Sequence, residues 1–210
     1  MVFSETLEIS LEHAIFNIKR PPFTMGLFRK PNMIKVLGKF FPGNSFEELN
    51  IPLYVSATNI NTGSSEYFSS GELILPLIAS SALPVLFSPV EINENQYLDG
   101  GLLNNLPVEP FLEEGLTRIG VHVNPVGSTD HLSSSLKIIE RSIVLAVYKN
   151  IRQRVQLCDL FIEPPELRKF STFDFSKGKE LFQNGYEFAK ISLDKFLENK
   201  VMQKNLTSAA

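Results

Sequence analysis

Cysteine occurs once in this sequence, at Cys158. A lone cysteine excludes an internal disulfide and any multi-cysteine metal cluster, and mildly favours a reducing interior. Histidine is almost as scarce: His13, His122 and His131 lie far apart, and no two share a metal-ligand spacing. Long runs of one charge are missing too. The formal net charge of -3 is spread along the chain, so there is no electrostatic footprint for a nucleic-acid backbone and no nucleic-acid partner is expected. Nor is there an uninterrupted apolar stretch of membrane-spanning length. The most apolar region, Leu73 to Val90, is cut by Pro76, Pro84 and Pro89, which suits a buried helix and turn better than a bilayer span. Residues 1 to 20 carry acids from Glu5 onward and no continuous apolar core, so they do not read as a secretory signal. The expectation is a cytoplasmic chain, or one peripheral to a membrane, without a transmembrane helix.

What is present is an ordinary globular composition. Hydrophobic residues make up 43% of the 210 and charged residues 20%, with phenylalanine the dominant aromatic. A chain of this length buries roughly 70% of the surface its unfolded form exposes, so a core is feasible without cross-links.

Periodicity divides the sequence into alternating elements. Leu7, Leu11, Ala14, Ile15 and Ile18 share one helical face, which Pro21 and Pro22 terminate. Ser45 caps a short helical turn before Pro52, and residues 52–58 and 66–68 read as two strands joined by an asparagine-rich turn. Ser69 and Glu72 have capping-box spacing ahead of a short buried helix, with which Pro76 is compatible only in its first turn. Extended pieces at 86–92 and 96–98 flank the turn formers Asn93 to Asn95. The run Arg118 to Asn124 has the nearly continuous apolar character of a central strand covered on both faces. Leu136 to Val155 keeps helical spacing, residues 159–162 form a short strand, and Phe182, Tyr186, Ala189, Leu193 and Phe196 mark a last amphipathic helix behind a Ser176 cap. The chain is expected to fray from about Lys200. Strands alternating with helices predict an α/β layer architecture with a largely parallel sheet.

No self-contained nucleophile system is visible. Gly-x-Ser-x-Gly does not occur, and the nearest approaches, Gly43-Asn44-Ser45 and Gly63-Ser64-Ser65, lack the second glycine that lets a strand turn sharply into a helix behind the serine. Ser80 and Ser81 sit in a helical segment, where serine hydroxyls ordinarily bond back to helix carbonyls. His122 falls in a strand and reads as a hydrogen-bonded core histidine. Asn104 and Asn105 precede Leu106-Pro107 and read as turn residues bonding their own loop. A lone Asp99-Gly100-Gly101 is an ordinary turn.

Its surroundings are more specific. The block Ser80-Ser81-Ala82-Leu83-Pro84-Val85-Leu86-Phe87-Ser88-Pro89-Val90, followed by Tyr97-Leu98-Asp99-Gly100-Gly101-Leu102-Leu103-Asn104-Asn105-Leu106-Pro107-Val108, resembles the C-terminal motif block of patatin-like phospholipases. The resemblance extends back through Ser45 to Pro52, Ala57-Thr58-Asn59 and Thr62-Gly63, and forward through Gly115 to Asn184-Gly185-Tyr186. It implies a three-layer α/β patatin-like domain over residues 1–199, with 200–210 as a frayed tail, lacking the N-terminal strand-turn-helix portion that bears the family's serine. The implied chemistry is a Ser-Asp dyad that passes the acyl group of a lipid ester through a serine ester to water, as in a phospholipase or lysophospholipase. Asp99 matches the family's aspartate, which must be dry and held within about 3 Å of the hydroxyl to act as a base. Gly100 and Gly101 are then positioning residues that permit positive φ and let the backbone pass close behind the carboxylate. The resemblance implies no metal and no cofactor. Expected partners are lipid acyl esters, a peripheral membrane contact, and either a complementing N-terminal half or a second copy. The alternative is a non-catalytic remnant serving as an acyl-chain-binding or interaction module.

Overall fold

The computed structural model describes residues 30–84, 87–113, 115–129, 131–170 and 175–208. The helix expected over Leu7 to Ile18 lies outside them. The chain divides into two compact units, Met1–Asn105 and Leu106–Ala210.

The first unit begins with helix α1 (Lys30–Phe40) and a 3-10 turn, Phe46–Glu48, capped by Ser45, whose Oγ accepts from the Glu47 N–H at 3.2 Å. Strands β1 (Val55–Asn59) and β2 (Ser64–Phe68) follow, then helix α2 (Ile74–Ser80) and strands β3 (Val90–Ile92) and β4 (Asn95–Asp99). The strands form one sheet in the order β2-β1-β4-β3. All three pairings are antiparallel, so the largely parallel sheet expected from the sequence is corrected while the α/β class stands. For two of the three pairings the connections give the reason. Asn59 Oδ1 accepts from the N–H groups of Asn61 and Thr62 at 3.0 and 3.2 Å, and Gly63 takes φ +71°, closing a tight turn between β1 and β2. Asn93 and Glu94, both at positive φ, join β3 to β4. Links this short admit antiparallel partners alone, since a parallel pair needs a crossover of a dozen residues or more.

β1 is buried along its whole length, and α2 packs against it through Ile78 and Ala79. Ala57 on β1 presents a methyl group there, so the helix can approach closely. Ile78 is 2% exposed, a burial worth about 2 kcal/mol. Pro76 does fall in the first turn of α2, where its missing N–H costs nothing. The expected Ser69 cap is absent. Asn44 takes its place, with its Oδ1 accepting from the Ile74 N–H at 2.8 Å and its carbonyl from the Leu73 N–H at 3.1 Å.

In the second unit a 3-10 turn, Glu109–Phe111, leads to β5 (Ile119–Val121), helix α3 (Ser135–Val155), β6 (Leu160–Ile162), a further 3-10 turn, Pro165–Lys169, and helix α4 (Gly178–Ser208). β5 and β6 pair in parallel, with Ile119 opposite Leu160, across the α3 crossover. The core here joins Leu106, Val108 and Ile151, flanked by Tyr148, Val155 and Phe161. β5 is not the doubly covered central strand its apolar run suggested. Ile119, Val121 and Val123 are 48%, 56% and 59% exposed, while the intervening Gly120 and His122 are buried. Among the described residues, no helix is long and apolar enough to cross a membrane.

Candidate functional site

Asp99 is the last residue of β4, where the strand gives way to a 3-10 turn, Gly100–Leu102. Its backbone is fixed from two sides. The Asp99 N–H donates to the Ala82 carbonyl at 3.0 Å, and Thr58 Oγ1 on β1 donates to the Asp99 carbonyl at 2.9 Å. The two motif blocks noted in the sequence therefore meet at this residue: the Ser80-Ser81-Ala82 segment that ends α2 holds the strand that ends in Asp99.

The side chain is held as well. Asp99 Oδ1 accepts from the Gly101 N–H at 2.7 Å. Burial pushes the carboxyl above the usual carboxylate range, and the Gly101 N–H, which stabilises the ionised form, opposes this in part. No cation among the described residues forms an ion pair with it. A partly buried carboxylate with raised proton affinity and no ion-pair partner is a better base than a fully solvated one.

Close approach rather than backbone sign requires Gly100, which meets backbone, while Gly101 is crowded by side-chain ends alone. A Cβ on Gly100 would lie 2.3 Å from the Ser56 carbonyl oxygen, and one on Gly101 would lie 2.6 Å from Asn105 Oδ1 and 3.0 Å from Asp99 Oδ1. Neither is among the glycines with positive φ, which are Gly63, Gly71 and Gly115, so the positive φ expected at Gly100 and Gly101 is corrected. The loop beyond is pinned to the sheet. The Asn104 N–H donates to the Gly100 carbonyl at 2.9 Å, and its 2%-exposed side chain donates from Nδ2 to the Tyr67 hydroxyl at 2.7 Å. Asn104 therefore ties its loop to β2 as well as bonding within it, a role the local sequence did not reveal.

Other candidates take structural positions. Ser81 Oγ donates to the carbonyls of Leu77 and Ile78, both at 3.1 Å. His122 Nδ1 lies 2.8 Å from Glu163 Oε1 in the second unit. A further buried network, unanticipated from the sequence, joins Glu66 to the Tyr97 hydroxyl and to Asn59 Nδ2, each at 2.7 Å. Burial and the Glu66 carboxylate push the Tyr97 phenol up to about 12. Among the described residues no group of His, Cys, Asp or Glu could hold a metal ion.

Comparison with known proteins adds a family. The patatin-like phospholipase family model matches residues 3–112, a stretch that includes Asp99, Gly100 and Gly101. A lysophospholipase NTE1 of Saccharomyces cerevisiae is 26% identical over 191 residues, covering 78% of this chain and 11% of that protein. Those of Kluyveromyces lactis and Coccidioides immitis are 27% and 29% identical, covering 71% and 75% of this chain and 12% of each protein. The chain thus spans about an eighth or less of the length of these relatives.

Proposed function

This chain belongs to the patatin-like phospholipase family, and we propose that it supplies the aspartate of a Ser-Asp dyad that hydrolyses acyl esters of phospholipids or lysophospholipids. Asp99 takes the proton of a serine hydroxyl as the serine oxygen attacks the ester carbonyl, then returns that proton to the leaving alcohol. A water molecule, deprotonated in the same way, releases the fatty acid from the acyl-serine. Gly100 and Gly101 position the carboxylate. The serine and its oxyanion donors belong to a complementing segment, since Gly-x-Ser-x-Gly does not occur in these 210 residues.

The observation that carries this reading is the state of Asp99: partly buried at the end of β4, without an ion-pair partner among the described residues, and bonded through one oxygen to the Gly101 N–H at 2.7 Å. The lysophospholipase names of the relatives favour single-chain phospholipid esters as substrates.

Reconstitution tests the proposal. The chain alone should neither turn over nitrophenyl esters nor label with a serine-directed fluorophosphonate, because a base without nucleophile or oxyanion donors lacks the groups that carry most of the rate. Fused to or co-expressed with the serine-bearing half of a relative, it should gain esterase activity, and Asp99→Asn should lower that activity by roughly 10³-fold or more. Equal turnover by the reconstituted parent and Asp99→Asn proteins, at matched circular dichroism, would remove Asp99 from the mechanism.

A further inference from the structure

We infer that the outer face of α3 is a seat for the surface of an anionic phospholipid bilayer. Among the described residues, the C-terminal half of this helix packs on a core: Tyr148, Ile151 and Val155 lie with Leu106 and Val108. A neighbouring face, about 100° round the helix, is open. Ile138 and Leu145 are each 48% exposed, and Lys149 and Arg152, farther along the same line, are exposed too. Positions 138, 142, 145, 149 and 152 follow the three-and-four spacing of a single helix stripe, and none of them is acidic.

The charges select the occupant. Over its length α3 carries Lys137, Arg141, Lys149, Arg152 and Arg154 against one acid, Glu140. Arg154 is paired with Glu109, and Arg141 donates to the Gly127 carbonyl. Lys149 and Arg152 enter no ion pair among the described residues, and Arg152 lies 6.0 Å from the centre of the Tyr148 ring. A face destined for a protein core would strand these two cations, and an unpaired buried charge is strongly disfavoured. At a bilayer the conflict vanishes. The aliphatic residues enter the acyl boundary, the long stems of Lys149 and Arg152 lie along it, and their heads reach lipid phosphates. The stripe from Ile138 to Arg152 is about 20 Å long, enough for α3 to lie flat in the interface.

This surface goes beyond the ester chemistry and is measurable without it. The 210-residue chain should co-sediment with vesicles of phosphatidylcholine and phosphatidylserine far better than with phosphatidylcholine alone, and 0.5 M salt should release it. Each cation near an anionic surface strengthens binding by a factor of about five, so Lys149→Gln/Arg152→Gln should lower the partition coefficient roughly thirtyfold. Leu145→Asn should weaken it by a smaller factor, and Asp99→Asn should bind as the parent does. All the substituted α3 positions are exposed, and circular dichroism will report whether the helix is kept. Failure of the parent to bind phosphatidylserine vesicles, or equal binding by the parent and the double variant, overturns the proposal. A double variant that changes the sedimentation-equilibrium mass while vesicle binding stays constant assigns the face to a second copy instead. Equal ester turnover by the reconstituted parent and Asp99→Asn proteins, with vesicle binding intact, would overturn the proposed function and leave this surface standing.

Discussion

At the scale of single residues, the proton affinity of Asp99 makes a prediction about stability that is independent of catalysis. Burial disfavours its charged form, so the folded carboxyl binds its proton more tightly than the unfolded one. Stability at this position is therefore fully present below about pH 4, the unfolded range, and is lost as pH rises through the raised folded value. Asp99→Asn cannot ionise and still offers an oxygen to the Gly101 N–H. Its urea midpoint should exceed the parent's at pH 7, and the gap should close by pH 3; a gap that is the same at both values would show that burial does not set this affinity. Gly100 gives a complementary prediction. Its hypothetical Cβ meets backbone, the Ser56 carbonyl oxygen at 2.3 Å, which cannot swing aside as a side chain could. Gly100→Ala should cost about 3 kcal/mol or more in urea denaturation. That Asp99, Gly100 and Gly101 end a strand and turn the chain was legible in the sequence, because they lie in one short motif beside a second. The Thr58 hydroxyl, the Ala82 carbonyl and the Asn104–Tyr67 bond were not, since each reaches the site from another element and leaves no local spacing to read.

At the scale of elements, the hairpins and the long helices could be read directly, because turn chemistry and periodicity are local. The strand at 118–124 could not: its apolar run fits both a doubly covered strand and the alternation observed, in which Ile119 and Val121 face outward. The cap of α2 was misplaced for a related reason. Ser69 has the right spacing along the chain, yet Asn44 reaches the helix start from a distant loop. Asn44 sits at φ 49°, a region asparagine tolerates better than most residues, so Asn44→Ala loses the cap and strains the backbone. The expected cost is about 2 kcal/mol, read from the thermal midpoint. Gly185 in α4 should behave in the opposite way. Nothing lies within 4 Å of an added Cβ, and its φ is not positive, so Gly185→Ala should stabilise the protein by about 1 kcal/mol by restoring helix propensity. A loss of stability there would reveal a contact on α4 that these geometric facts omit.

At the scale of the whole molecule, the two units differ in how well each covers its own apolar residues. Of the large hydrophobic residues more than a third exposed among the described ones, six belong to the first unit and sixteen to the second. The first unit has the means to bury its share: a four-stranded sheet with α2 packed against β1 and a continuous core from Ala57 to Tyr97. The second has a two-stranded sheet, and its core touches only part of α3. Two strands give too little surface to cover helices of 21 and 31 residues. On α4, Phe182, Tyr186, Leu193, Leu197 and Val201 share one face and are all exposed. Unlike the outer face of α3, that stripe is mainly apolar and aromatic, which is the character of a surface that packs on protein. The chain alone should therefore bind a hydrophobic dye strongly or self-associate. Adding a partner that seats on this stripe should lower dye fluorescence. Phe182→Ser/Leu197→Ser should lower dye binding by the isolated chain while leaving its circular dichroism intact. A monomer with negligible dye binding and a single cooperative unfolding transition would show instead that these 210 residues already close their own surface.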